Sequence, residues 1–247
     1  QEEVFQSART VPEIVPVNAL LREAIKKRGY KKIGIVGLPC HIHALRKMQL
    51  YNQPAEIVKH INLIIGLFCA STYYFKGIEH LIKEKGGISE LRDISKMDYR
   101  GGDGSHFVLT KDDKIRYICD KHIRTWHFLG PAYKRDRCLM CIDFSSELAD
   151  LSAGDIFQKF DPVDIKKTAI LVRTAKGKEL VEKAIMEEYI SVTKHDPELI
   201  PISGLGWESK KHANVLRLIE REKYYWPTPN YHYEPKIVFK RRKNNFF

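Results

Sequence analysis

Two short apolar runs, each closed by a turn that carries a cysteine and each followed by a helical pattern, constrain this chain most. The first is Lys32-Ile33-Gly34-Ile35-Val36-Gly37; Leu38-Pro39 then turns the chain into a helix expected over Cys40–Gln49. The second spans Ile61–Phe68, with a turn at Cys69–Tyr73 and a helix expected over Tyr74–Lys85. Short apolar runs bounded by turns read as buried parallel strands, and parallel neighbours need a crossover, usually a helix. The chain is therefore expected to be α/β, a mixed sheet with flanking helices. Cys40 and Cys69 then fall at the carboxyl ends of strands, where open α/β sheets place their ligands.

The rest of the chain is patterned differently. Leu20, Leu21, Ala24 and Ile25 stand at helical spacing within Val17–Lys27, and Gly29 stops that helix. Phe107–Leu109 and Ile115–Ile118 flank the polar turn Lys111–Lys114 as the arms of a hairpin, after a glycine-rich loop at Gly101–Gly104. Pro131–Ile156 reads as irregular, which suits a segment wrapped round a metal centre. Thr168–Arg173 is expected as a strand, Gly177–Glu188 as a helix, and Leu216–Lys223 as the end of a last helix. Pro227, Pro229 and Pro235 then mark an extended exit. The expected division is one α/β domain over 1–190 and a helical region with a basic tail over 191–247.

Cys138-Leu139-Met140-Cys141 supplies a close pair of sulfurs, and with Cys40 and Cys69 makes a four-thiolate set once the chain folds. Thiolates suit an iron–sulfur cluster or zinc. A structural zinc site usually shows two C-x-x-C knuckles, and this chain has one. The cations of Lys134-Arg135-Asp136-Arg137, in an expected loop, would offset the negative charge of a thiolate-bound cluster. Cys40 and Cys69 at helix starts would have their thiolates favoured by the helix dipole. Cys119, on an expected strand, reads as a spare core or edge thiol. His41, His43, His122 and His127 lie near these motifs as further possible ligands, although a histidine is more often a hydrogen-bonding residue.

Composition narrows the classes. With 43% hydrophobic and 11% aromatic residues, 247 residues can bury a globular core. Five cysteines are too few for a disulfide scaffold and odd in number, which fits a reducing, cytoplasmic setting. The longest apolar stretch, Ile61–Ala70, is too short to span a bilayer, and Gln1-Glu2-Glu3-Val4 shows no signal peptide. The chain lacks a starting Met and reads as processed or trimmed. The net charge of +11 steers anions: an acidic protein or a multiply charged cofactor. Scattered cations and no stacking motif argue against nucleic acid. The one dense cluster, in Lys236–Phe247, reads as a solvated tail.

Several motifs occur in a fixed order. They are Gly37–Met48, Gly66–Cys69, Met97–Gly101, and Cys138-x-x-Cys141-x-Asp143-Phe144 followed by Glu147–Ser152 and Gly154-Asp155. From about Ser7 to about Ile190 they closely resemble the family of beta subunits of coenzyme F420 hydrogenases and dehydrogenases. The resemblance implies an oxidoreductase component with FAD and a 4Fe–4S cluster, exchanging a hydride with coenzyme F420 and relaying single electrons. It implies Cys40, Cys69, Cys138 and Cys141 as cluster ligands, and other oxidoreductase subunits as partners. Candidate flavin and coenzyme contacts are Ser7, Thr10, Gly37, Pro39, Arg100 and Gly101. Lys96, Arg100 and Lys134 could meet the coenzyme's acidic tail or an acidic ferredoxin. A glycine-rich part of the family's flavin site would lie upstream of Gln1, with Ser7-Ala8-Arg9-Thr10 its end, so loose FAD binding is expected. Ile156-Phe157 departs from the family's usual Ile-Gly. The alternatives are a ferredoxin-linked reductase of another small substrate and a four-cysteine zinc interaction module.

Overall fold

The strand–turn–helix units named from sequence build the first part of the molecule. The structure, a computed structural model, describes residues 16–98, 106–119, 129–130, 132–155, 168–194, 206–207 and 209–232. The chain divides into two compact units, one formed by Pro16–Ala70 with the chain from Met140 on, the other containing Ser71–Leu139.

In the first unit, β1 (Ile33–Gly37), β2 (Ile61–Leu67), β6 (Leu151–Asp155) and β7 (Thr168–Val172) form a sheet in the order β1-β2-β6-β7. The first three strands are parallel and β7 is antiparallel. β1, the first strand in this order, is buried on one face only and not on both as its apolar run suggested: Ile35 is buried while Val36 is 52% exposed. The crossover from β1 to β2 is α1 (Pro39–Leu50), followed by the short α2 (Ala55–Val58). Pro39 takes the first helical position, where its missing N–H costs nothing. His41 Nδ1 accepts the Leu38 N–H at 3.2 Å, an improvised cap. Ile42 and Leu45 put one face of α1 into a core with Leu21, Ile35, Ile57, Val58, Ile61, Ile64 and Ala149. The N-terminal helical stretch Val17–Lys27 contributes Leu21 and half-buried Ile25 to that core; Leu20 instead faces solvent.

Asp150, just before β6, ties this unit together. It exchanges hydrogen bonds with Ile64: Asp150 N–H donates to Ile64 O at 2.9 Å, and Ile64 N–H donates to Asp150 Oδ2 at 2.8 Å. Its Oδ1 accepts from Arg46 Nη2 of α1 at 3.1 Å and from Thr174 Oγ1 at 3.0 Å. Thr174 also caps α5 (Ala175–Met186), its hydroxyl accepting the Gly177 N–H at 3.1 Å.

The second unit carries α3 (Phe75–Gly86) and an antiparallel sheet in the order β3 (Ile94–Asp98), β4 (His106–Thr110), β5 (Ile115–Cys119). The hairpin expected round Lys111–Lys114 is present. Ile78, Leu81 and Ile82 of α3 lie against Val108 and Ile118 in its core, and Gly87 ends the helix in the left-handed conformation that glycine adopts freely. Pro131–Ile156, expected to be irregular, contains the helical turn α4 (Asp136–Leu139) and the strand β6; Cys138 therefore sits in a turn of helix, not in a loop. The last helix among the described residues is α6 (Asn214–Lys223). Gly101–Gly104 and Pro235 lie outside the described residues. No helix among those described is long and apolar enough to cross a membrane.

Two consequences can be measured. Asp150→Ala orphans the Ile64 N–H, the Thr174 hydroxyl and the Arg46 charge together, so a loss of about 3 kcal/mol is expected in urea unfolding; an unchanged midpoint would contradict the role given to Asp150. In the second unit, burial pushes buried His106 down to about 4 from 6.5, against the pull of the Asp98 carboxylate. The folded state prefers neutral His106, while the unfolded chain takes up a proton below about 6.5. Stability from this group is complete above that pH and falls as pH drops towards 4, by about 3 kcal/mol in all. Urea titrations at pH 7 and 4.5 should show the fall, and His106→Gln should flatten it.

Candidate metal centre

Cys40 lies in the first turn of α1, three residues beyond the end of β1, and is exposed. The positive end of the α1 helix dipole there favours a thiolate over a thiol. Cys69 lies two residues beyond β2 but six before α3, so it has no helix start behind it, contrary to the sequence reading. What holds it is a backbone pairing: its N–H donates to Phe144 O at 2.8 Å, after Phe68 N–H has paired with Ala153 O at 3.0 Å. The close pass of the 144–149 segment over β2 requires Gly66. A side chain there would collide with Ser146, whose hydroxyl donates to Leu67 O at 2.9 Å.

Cys138 belongs to the unit that contains α3. Its Sγ accepts the Thr72 N–H at 3.4 Å and lies 3.5 Å from Thr72 Oγ1. Donors aimed at a sulfur suit a ligating thiolate, whose electronics they tune. Cys141 belongs to the other unit, and its Sγ donates to Asp143 O at 3.3 Å. A ligating thiolate has no proton to donate, so this contact would be lost were Cys141 to ligate a metal. The four-thiolate donor set fits an iron–sulfur cluster in its chemistry. Among the described residues no three or more His, Cys, Asp or Glu side chains stand close enough to hold one metal ion.

Asp143 is the charged centre of the Cys141 segment, and its side chain is completely buried. Oδ2 lies 3.0 Å from His43 Nε2 of α1 and accepts the Glu147 N–H at 2.9 Å, while Oδ1 meets no hydrogen-bond partner among the described residues. His43, weighed from sequence as a ligand, is thus the partner of a buried carboxylate, and His41 is engaged in capping α1. Arg173 donates to Ser152 Oγ at 2.6 Å and to the Ser145 oxygens at 3.1 and 3.2 Å. Burial pulls its guanidinium below the usual value, opposed by the Asp143 and Glu147 carboxylates.

Of the candidate flavin and coenzyme contacts, Gly37 and Pro39 are buried at the β1–α1 turn, with His41 and Ile42 close against Gly37. Ser7, Thr10, Arg100 and Gly101 lie outside the described residues, as do His122 and His127. Lys96 is exposed on β3 and Lys134 bridges Tyr73. Cys119 ends β5 opposite His106. Sequence reasoning missed Arg173, Asn214 and Tyr231. The only signal available was Asp143 in the C-x-x-C-x-Asp motif, whose buried carboxylate demands partners.

Residues 30–198 match the family model for the C terminus of the coenzyme F420 hydrogenase/dehydrogenase beta subunit. The chain belongs to this family. It is 27% identical over 235 residues to the coenzyme F420 hydrogenase subunit beta of Methanococcus voltae, covering 92% of this chain and 76% of that protein. It is 24% identical over 204 residues to the coenzyme F420-dependent sulfite reductase of Methanocaldococcus jannaschii, covering 77% of this chain and 29% of that protein. Among solved structures it is similar in fold to a chain of the F420-reducing [NiFe] hydrogenase complex from Methanosarcina barkeri. There the TM-score is 0.66 at 22% identity, over 94% of this chain and 76% of that one. The family is thus one of F420-linked oxidoreductase subunits.

His43→Leu tests the buried pair. It removes the His43 ring from Asp143 Oδ2, which keeps the Glu147 N–H, and a loss of about 2–3 kcal/mol is expected in urea unfolding at pH 7. A midpoint equal to the wild type would show that the pair contributes nothing.

Proposed function

We propose that this chain is the F420-linked electron-transfer subunit of a larger oxidoreductase, carrying a 4Fe–4S cluster on Cys40, Cys69, Cys138 and Cys141. The observation that carries the reading is the family match over residues 30–198, within which all four cysteines fall. FAD is the second group, with Ser7, Thr10, Gly37, Pro39, Arg100 and Gly101 as its candidate contacts and those of the coenzyme. When bound, the two groups supply the conversion between a hydride pair and single electrons that such a protein requires.

The chain's own residues have distinct tasks in this reading. The positive end of the α1 helix dipole favours the Cys40 thiolate. The Thr72 N–H donates to Cys138 Sγ, which lowers the electron density on that sulfur and raises the cluster's potential. Lys134, Arg135 and Arg137, next to Cys138 in sequence, offset the net negative charge of a four-thiolate cluster. The net charge of +11 favours encounter with coenzyme F420's acidic tail or with an acidic ferredoxin. Other oxidoreductase subunits complete the electron path, and a reducing cytoplasm keeps the thiols available.

Iron and acid-labile sulfide per chain, measured anaerobically for each of the five Cys→Ser variants, check the ligand set. Serine oxygen is harder than thiolate sulfur and mostly protonated near neutral pH. Cys40→Ser, Cys69→Ser, Cys138→Ser and Cys141→Ser should lose iron and the broad visible absorbance that bleaches on reduction. Cys119→Ser should keep both. Loss of iron in Cys119→Ser with retention in any of the other four would overturn the assignment, and a colourless zinc-bearing wild type would overturn the cluster.

A further inference from the structure

The chain from Ser209 on lies beyond residues 30–198, and no sequence motif marks it. Its side chains nevertheless converge on the Cys141 end of the C-x-x-C pair. The turn Ser209–Ala213 and α6 bury Lys210, Asn214, Val215 and Leu218 along one face. Val215 and Leu218 pack with Ile142. Asn214, 2% exposed, donates from Nδ2 to Cys141 O at 2.7 Å. Its Oδ1 accepts from Arg217 Nη1 at 2.7 Å, which orients the amide so that its N–H faces Cys141. Further along, the Tyr231 hydroxyl donates to Met140 O at 2.9 Å, and its ring meets His43 edge-on at 5.5 Å.

These two hydrogen bonds act on the two peptide planes that flank the Cys141 α-carbon. The Met140 carbonyl belongs to the plane before it and the Cys141 carbonyl to the plane after it. Fixing both planes fixes the direction of the Cα–Cβ bond, and with it the reach of the sulfur. The 140–146 segment lies between α4 and β6 and forms no strand or helix of its own that could do this. We propose that residues 209–231 form a clamp in which Asn214 and Tyr231 are positioning residues for Cys141, setting how firmly the cluster is held. The clamp rests on the cluster reading given under Proposed function. Groups that orient a metal ligand typically change metal affinity by about 10–100-fold when removed.

The test uses the full chain, reconstituted anaerobically with iron and sulfide, in Tyr231→Phe and Asn214→Asp. Phenylalanine keeps the ring and removes only the donor. Aspartate keeps the size of asparagine and the Arg217 partner, but its carboxylate cannot donate to Cys141 O. Both variants should release iron to a chelator about 10-fold faster than wild type or more, with a shifted midpoint potential. Tyr231→Phe should keep the wild-type circular dichroism. Ile219→Gln, on the exposed face of α6, should keep the wild-type release rate. Wild-type release rates and potentials in both clamp variants would overturn the clamp while leaving the cluster reading intact, as would equal acceleration by Ile219→Gln. A wild-type chain that takes up no iron overturns the cluster reading, and the clamp with it.

Discussion

One carboxylate, that of Asp150, is the point on which the α/β unit turns. It lies where the chain re-enters the sheet, and within one residue it engages β2 through Ile64, α1 through Arg46 and the start of α5 through Thr174. Its own carbonyl accepts the Arg173 and Thr174 N–H groups at 3.0 and 3.2 Å, so the end of β7 is held as well. Parallel strands have no hairpin to set their register, and β6 meets β2 through only three paired positions, Ile65–Leu151 to Leu67–Ala153. A nearly buried carboxylate with partners on three elements can supply the missing specification, because leaving any of them unpaired is costly.

That register decides where the chemistry-bearing residues go. Phe68 pairs with Ala153 only if β6 is correctly aligned on β2, and Cys69 pairs with Phe144 only if the segment before β6 passes close over Gly66. The Cys69 backbone and the Cys141 segment are thus placed by the same alignment. The His43–Asp143 pair ties that segment to α1, the helix that carries Cys40. The burial of Asp143 suits this purpose: a hydrogen bond to a polar group in a dry setting is costly to break and tolerates little displacement. Chain connectivity adds a further feature, because the α3 and β3–β5 unit is inserted between β2 and β6. The boundary between the units falls between Leu139 and Met140, so Cys138 belongs to one unit and Cys141 to the other.

Much of the local structure was legible from residues alone, since it follows from periodicity and turn chemistry. The β1–α1 and β2–α3 units, the Lys111–Lys114 hairpin and the strand and helix of 168–186 all fall within a few residues of their expected bounds. The exceptions have physical causes. Val36 is exposed within an apolar run because which face of a sheet a neighbouring element covers is a tertiary property. Leu151–Asp155 (Leu-Ser-Ala-Gly-Asp) carries little β propensity and becomes a strand because β2 offers it a hydrogen-bonding edge. Cys69 has no helix behind it because α3 begins only at Phe75.

By itself the sequence determined the α/β class, the positions of Cys40 and Cys69 just beyond strand ends, and the family, because motif spacing and hydrophobic period are properties of the chain. It could not announce that His43 faces Asp143 across 100 residues, or that Asn214 and Tyr231 reach back to Cys141 and Met140. Those partners share no spacing and no pattern. Asn214 and Tyr231 arrive there because Ile142, Val215 and Leu218 pack into one small core. Packing is non-directional and gathers segments without regard to their separation in sequence, and the hydrogen bonds it permits exist only once the chain has folded.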